Sequence, residues 1–522
     1  MEPAQTESEL SNFQILPSMV EKKLKNLKID KAAGPDGLPP RLYKELATEL
    51  SVPLAKIFNM SLKEGRIPSA WKIAHVVPIY KKGKKSQPGN YRPVSLTNVA
   101  CKVMESLIRE QMLEHLQVNK LFSQHQHGFV SGRSCSTNLL ASLEYWTALL
   151  EENCHVDSIY LDFAKAFDTV PHERLLIKLR SYGITGNVHQ WIQSFLENRK
   201  QCVVLEGVKS GWEKVLSGIP QGSVLGPVLF ICYVNDLPDY VKSKVFLFAD
   251  DTKLCNKVPD PDNTLQKDLD SLQVWSDKWQ LRFNATKCKV MHLGNQQDPV
   301  TYYMQSSETA VELEEISIEK DLGVNVDRDL NFTEHVHAQT VKANRLLCLI
   351  RRSFTYLDEE SLPLLYMSIV RPHLEYGNVA WCPKFKKETD MLEGVQRRAT
   401  RMIPSLKGKT YEERLQILKL PSLYYRRARG DMIECYKYLT GIYQVDNSFL
   451  ELDKSATRGH MYKLKKLAAQ KSCRAKFFSR RVTNAWNRLP DHVVQAPTLN
   501  SFKNRLDKVW ACYRFSLNSD WF

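Results

Sequence analysis

Apolar positions recur along this chain with two different periods. Over residues 71–79 they favour Ile73, Val76, Val77 and Ile79, which predicts a strand that breaks into a basic loop at Lys81-Lys82-Gly83-Lys84-Lys85. Val99, Val103, Leu107 and Met112 then fall at helical spacing over 98–116. Residues 157–163 read as a strand ending at an aspartate, 171–179 as a helix, and 245–254 as a hairpin with Asp250-Asp251 as its turn. Asn263 and Thr264 are expected to cap a helix carrying Leu265, Leu269, Leu272, Trp275 and Trp279 on one face, with a short strand at 290–293 after it.

Beyond about residue 330 the period is helical. Helices are expected at 334–351, at 358–370 with a stop before Pro372, at 389–402 with Leu392, Val395, Ala399 and Met402 on one face, at 476–488, and at 499–510 with a Leu499, Phe502, Leu506, Trp510 stripe. Such stripes are read as core. The fold class is α+β, with a mostly helical last third.

Composition narrows the function classes. A chain of 522 residues with 43% hydrophobic and 25% charged residues is a packed protein of more than one unit, which excludes disordered, collagen-like and coiled-coil descriptions. The longest apolar run, 224–234, is about half of a bilayer span, and the first residues hold no apolar signal core, so neither a transmembrane segment nor a signal peptide is expected. The 12 cysteines are scattered, without CxxC pairs or zinc spacing, which predicts reduced thiols and an intracellular protein of nucleus and cytoplasm. The net charge of +15 is concentrated: residues 395–522 hold 26 Lys+Arg against 10 Asp+Glu, while the rest is near neutral. That surplus points to a polyanionic partner.

Two apolar strands carry acids at their ends: Asp162, followed by Phe163 and, further on, Phe167, and the pair Asp250-Asp251. Burying carboxylates there costs several kcal/mol unless cations accompany them, and hard oxygen ligands suit Mg²⁺. An Asp-Asp turn alone is more often a solvated hairpin tip. Between the two acidic sites, however, lies the glycine- and proline-rich run Ser217-Gly218-Ile219-Pro220-Gln221-Gly222-Ser223-Val224-Leu225-Gly226-Pro227, which opens an apolar helix and allows close approach to a flat ligand.

The order Asp162 with Phe167, then 217–227, then Phe248-Ala249-Asp250-Asp251 resembles the successive motifs of reverse transcriptases of non-LTR, jockey-like retrotransposons. Further blocks are similar to the same family: Lys31-Ala32-Ala33-Gly34-Pro35-Asp36-Gly37, Pro78-Ile79-Tyr80-Lys81-Lys82-Gly83, Asn90-Tyr91-Arg92-Pro93-Val94-Ser95-Leu96, Gln126-His127-Gly128-Phe129, Asn284-Ala285-Thr286-Lys287-Cys288, Asp321-Leu322-Gly323-Val324, Arg371-Pro372-His373-Leu374-Glu375-Tyr376, Phe478-Ser479-Arg480-Arg481 and Trp486-Asn487-Arg488-Leu489-Pro490.

The resemblance implies a right-hand polymerase with an N-terminal extension (1–70), fingers and a palm with an antiparallel sheet (71–326), a helical thumb (327–405) and a basic, mostly helical C-terminal region (406–522). It implies an RNA-directed DNA polymerase in which Asp162, Asp250, Asp251 and the Phe163 carbonyl hold two Mg²⁺, with Lys287 as proton donor to pyrophosphate. Lys81 and Arg92 would hold the dNTP phosphates, Phe167 would exclude a 2′-hydroxyl, and Gln221 and Gly222 would line the templating pair. Arg397, Arg398, Arg401, Lys463, Lys465 and Lys466, with Lys471, Arg474 and Lys476 and the interleaved Tyr462, Phe477 and Phe478, would face template RNA and primer or target DNA. Thirty residues precede Lys31, so the endonuclease of autonomous relatives is expected to be lacking, as is the Cys/His knuckle of some. The alternative is a catalytically silent, host-retained or decayed nucleic-acid-binding scaffold of the same fold.

Overall fold

The computed structural model describes residues 6, 8–306, 309–454 and 459–517. Its central five-stranded sheet runs in the order Glu314–Glu315, Lys289–Leu293, His155–Leu161, Asp251–Val258, Lys244–Phe248. The pairings are antiparallel except at the two-residue edge, where Glu314–Glu315 runs parallel to Lys289–Leu293. The expected antiparallel sheet therefore carries one short parallel edge.

Alternate residues of these strands feed two different cores, because side chains on a strand point to opposite faces in turn. Ile159, Leu161, Val245, Leu247, Leu254 and Val290 pack with the helices Pro17–Lys25, Val99–Val118, Gly226–Val234 and Thr264–Trp279. Val156, Phe246, Cys255, Met291 and Leu293 face the helix Cys135–Glu151 and the helices from Thr333–Ser353 to Leu499–Val509. With both faces covered, the middle strand is buried almost throughout. Its one acid, Asp157, is fully buried and accepts from His292 Nδ1 (2.7 Å), Gln296 Nε2 (2.8 Å) and the Tyr302 hydroxyl (2.7 Å).

A second sheet centres on Ile73–Tyr80, with Tyr91–Leu96 antiparallel on one side and Arg199–Leu205 parallel on the other. Trp71, expected in the strand, lies in the preceding 3-10 turn and packs edge-on against Phe58 at 5.9 Å.

Several predicted boundaries move. Phe248 pairs with Asp251, so the hairpin turn is Ala249-Asp250 rather than Asp250-Asp251, and Asp251 begins the second strand. The helix Thr264–Trp279 is capped by the Asp260 carboxylate, which accepts from the Thr264 (2.7 Å) and Leu265 (3.3 Å) amides, while Asn263 sits in a left-handed conformation with no capping bond. Pro372 does not stop its helix: a π turn, Tyr366–Val370, intervenes, and helix resumes as Arg371–Glu375, with the proline where its missing N–H costs nothing. Extended backbone at Phe477 ends a separate short helix, Ser472–Lys476, so the helix expected at 476–488 starts at Phe478 and runs to Asn487. The helices Ala47–Lys63, Cys135–Glu151, Gly186–Leu196, Tyr411–Ile417 and Leu423–Leu439 had not been read from the sequence.

All 12 cysteines are free thiols. Among the described residues no helix is long and apolar enough to cross a membrane.

Candidate active site

The register of the central sheet brings the separated acids together. Leu161 pairs with Thr252 and Phe248 with Asp251. One step further along the same antiparallel ladder sets Asp162 across from Asp251, with Asp250 in the adjoining turn. Cross-strand neighbours of this kind have Cβ atoms about 5 Å apart, and the three carboxylates act on one another. Burial raises the Asp250 carboxyl above its ordinary range and Asp162 adds to the rise, while Arg92 and Lys81 pull it down. Asp251 is pushed up to about 6, by desolvation first and then by Asp250 and Asp321. Its outer surface stays open to the cleft, so solvent screens part of that repulsion.

Asp162 is held from behind. Its amide donates to Cys288 Sγ (3.4 Å), its carbonyl accepts from the Asn284 amide (2.7 Å), and its carboxylate Oδ2 lies 3.2 Å from Lys287 Nζ. Phe163 bridges to Phe283, and the bridge's hydrogen bonds run through Ala164 N–H to Arg282 C=O and Asn284 N–H to Asp162 C=O. The Phe163 carbonyl is therefore outside that bonding, while its ring is buried and stacked on Phe283 at 4.5 Å.

The glycine-rich loop folds over the same end. The Ile219 amide donates to the Phe167 carbonyl (2.7 Å) and the Gln221 carbonyl accepts from the Ser95 amide (2.7 Å). Gln221 Nε2 donates to Asp168 Oδ1 (2.9 Å), so this side chain is already engaged within the protein. Gly222 is exposed at φ +105°, and a Cβ there would come within 2.8 Å of the Ser95 carbonyl oxygen. Phe167 stacks on Phe230 at 4.4 Å and keeps part of its ring exposed.

Lys81 and Arg92 project from the second sheet and are exposed. A cleft of about 440 Å³ opens between the sheets, lined among others by Lys81, Lys82, Asp162, Asp251 and Lys287. Among the described residues no three acidic, histidine or cysteine side chains already converge tightly enough to enclose a metal ion. The donor set nevertheless fits one: hard oxygens, two of them with proton affinities raised by burial first and by neighbouring acids second, a charge penalty that a divalent cation would relieve.

Residues 79–308 match the family profile described as reverse transcriptase (RNA-dependent DNA polymerase). This stretch is a reverse transcriptase domain. Similarity extends beyond it. The chain is 28% identical over 422 residues to the RNA-directed DNA polymerase from mobile element jockey of Drosophila melanogaster, covering 77% of this chain and 45% of that protein. It is 30% identical over 377 residues to the jockey polymerase of Drosophila funebris (69% and 40%), and 27% identical over 390 residues to the probable RNA-directed DNA polymerase from transposon X-element of Drosophila melanogaster (72% and 42%). The chain thus spans less than half the length of these curated relatives.

Two buried groups of the reverse transcriptase domain and its flank escaped the sequence reading. Glu105, fully buried, accepts the Val224 (2.7 Å) and Leu225 (3.1 Å) amides through Oε2 and so ties the glycine-rich loop to the Val99–Val118 helix. Lys253, two residues after Asp251 on the same strand face, pairs with Asp321 at 2.6 Å and with Ser142 Oγ at 3.1 Å, both charges being buried. The Asp321-Leu322-Gly323 turn is held in turn by Tyr376, whose hydroxyl donates to the Leu322 carbonyl (2.7 Å). A glutamate on the otherwise buried face of its helix, beside Cys101 and Ile108, or a lysine inside a strand, is the only sequence signal either leaves.

Outside the reverse transcriptase domain the basic residues separate into two kinds. Arg397, Arg398 and Arg401 are exposed on one helix end, with Arg397 over the Tyr411 ring at 5.0 Å and Arg398 Nε donating to Asn344 Oδ1 at 3.1 Å. Lys465 pairs with Glu451 at 3.2 Å, Lys466 is exposed and Lys463 is half-buried. Arg474 instead makes two 2.7 Å bonds to Glu144, and Lys476 Nζ donates to the Pro383 and Lys384 carbonyls; Phe477 and Phe478 are core. Arg474, Lys476 and both phenylalanines are therefore packing elements, because the basic period there coincides with a helix docked on Cys135–Glu151.

Proposed function

We propose that this chain is an RNA-directed DNA polymerase that extends a DNA 3′-hydroxyl with dNTPs on an RNA template. The central sheet is its palm and the second sheet belongs to its fingers, within 71–326; residues 1–70 are an extension, 327–405 the thumb and 406–522 a basic nucleic-acid-binding region. The observation that carries the reading is the register that sets Asp162 across from Asp251 beside Asp250, on a lysine-lined cleft.

Asp162, Asp250, Asp251 and the Phe163 carbonyl would hold two Mg²⁺. When bound, such a pair lowers the pKa of an attacking hydroxyl and offsets charge developing on phosphate oxygens. The protein's own part is positioning and electrostatics. Arg92 and Lys81 face the acids from the fingers, where they take the β- and γ-phosphates, Arg92 by its fork and Lys81 as a point charge. The part-exposed Phe167 ring lies under the incoming sugar and leaves no room for a 2′-hydroxyl. Gln221 holds the loop shape through Asp168 and, with Gly222, borders the templating pair. Lys287 carries a proton beside Asp162 and gives it to the departing pyrophosphate. Arg397, Arg398, Arg401, Lys463, Lys465 and Lys466 hold backbone phosphates of template RNA and primer or target DNA.

The test is extension of an end-labelled DNA primer on an RNA template with dNTPs and MgCl₂, beside a chain carrying Asp250→Ala and Asp251→Ala. Incorporation by the wild type alone is expected. Equal signal from both removes the proposal and leaves a nucleic-acid-binding scaffold.

A further inference from the structure

The Ala249-Asp250 turn presents two of the three acids, and its conformation is not self-sustaining. Ala249 sits at φ +56°, a left-handed conformation that an alanine rarely adopts, and it is buried. Its amide points to the side-chain oxygen of Gln126, at 2.9 Å, and the same oxygen accepts the Gly128 amide at 2.8 Å. Two converging N–H donors require the acceptor end of the carboxamide there, which fixes its orientation. Gln126 is fully buried, and its amide nitrogen has no partner among the described residues, so the side chain is held through that one oxygen.

The backbone around Gln126 is anchored to the same strand. The His127 amide donates to the Leu247 carbonyl (2.8 Å) and the Leu247 amide to the His125 carbonyl (3.0 Å), an isolated parallel bridge of Gln126 with Leu247 on the edge strand of the central sheet. Asn138 Nδ2 adds a bond to the Leu247 carbonyl (3.1 Å), and Arg133 clamps the Gln126 carbonyl at 2.5 Å. Gly128 closes against the turn: a Cβ there would lie 2.5 Å from the Ala249 nitrogen.

We propose that Gln126 is a positioning residue for the acidic turn, its carboxamide oxygen holding the Ala249 amide so that Asp250 and Asp251 stand ready beside Asp162. This rests on the polymerase reading for its kinetic consequence, but not for its structural one. Filling the role takes a buried acceptor of fixed orientation; a merely space-filling side chain at 126 leaves the left-handed turn free to relax and the carboxylates to spread.

The experiment compares wild type with Gln126→Met, which keeps the length and loses the acceptor, and Gln126→Glu, which keeps an acceptor oxygen. Four quantities are read: Mn²⁺ affinity by electron paramagnetic resonance without nucleic acid, kcat and dNTP KM in primer extension, each per folded molecule, and melting temperature. For Gln126→Met, Mn²⁺ affinity is expected to fall about tenfold and kcat about 30-fold with dNTP KM within twofold, as fits a loosened constellation; Gln126→Glu recovers most of the metal affinity. Unchanged affinity and kcat in Gln126→Met overturn the inference, and so does a loss that disappears when the unfolded fraction is subtracted or one that Gln126→Glu shares in full. A wild type that incorporates nothing, yet binds Mn²⁺ more tightly than Gln126→Met, ends the polymerase reading and leaves this one standing.

Discussion

Lys287 Nζ stands 3.2 Å from Asp162 Oδ2, and both side chains reach the cleft that Lys81 and Asp251 also line. On the proposed reading, the lysine charge would lie where a substrate phosphate and a metal-binding carboxylate meet. With Lys287 as proton donor, Lys287→Met should lower kcat by about 10²-fold. Lys287→Arg should restore nucleotide binding without restoring kcat. Single-turnover incorporation by the three chains reads this.

The raised carboxyls give the metal-free fold a definite pH dependence. Asp251 is pushed up to about 6 from its ordinary lower value, so the folded chain holds this proton more tightly than the unfolded chain does. Stability then falls as pH rises through the window that ends near 6, and the penalty is complete at neutral pH. In EDTA, Asp251→Asn should stabilise the chain at pH 7.5 by ~1 kcal/mol or less after solvent screening, read as a higher melting temperature, and should make little difference at pH 4. Thermal scans of both chains at the two pH values check the sign.

Glu105 should prove more than a packing residue. Glu105→Leu removes the acceptor from the Val224 and Leu225 amides, with an expected cost of about 2–4 kcal/mol for buried unpaired donors. Glu105→Gln keeps an acceptor and should cost far less. Because burial raises the Glu105 carboxyl, the glutamine variant should also lose less stability than wild type as pH climbs from 4 to 7. Denaturant titrations of the three chains measure both effects.

The two kinds of C-terminal cation should behave differently toward RNA. Replacing Arg397, Arg398 and Arg401 with alanine should flatten the dependence of log affinity on log salt by up to about 2, at ~0.7 per phosphate contact on a single strand, with the melting temperature unchanged. Arg474→Ala should leave the slope alone and destabilise the chain by about 1–3 kcal/mol, since the part-exposed Glu144 then loses its partner. RNA binding measured across a salt series separates them.

The sequence was most legible where one element speaks for itself. The strand ending at Asp162, the helix of Leu265 to Trp279 and the apolar helix after the glycine-rich loop all stand close to where periodicity puts them. It was least legible where a distant group decides. Asp260, not the adjacent Asn263, caps its helix, and Pro372 is absorbed by a π turn rather than ending its helix. Arg474 reads as a nucleic-acid cation until Glu144, far away in the chain, is found beside it. The roles of Glu105 and Gln126 were invisible because both act on backbone amides, which carry no side-chain signature in a sequence.

The most direct measurement is the rate of dNTP incorporation by Asp162→Asn, Asp251→Asn and the double variant on one primer and RNA template. If the register makes these carboxylates one site, each single variant loses about 10³-fold or more and the double is scarcely worse, as groups acting as a unit require. Activity retained in Asp162→Asn, or losses that simply multiply in the double variant, would contradict it.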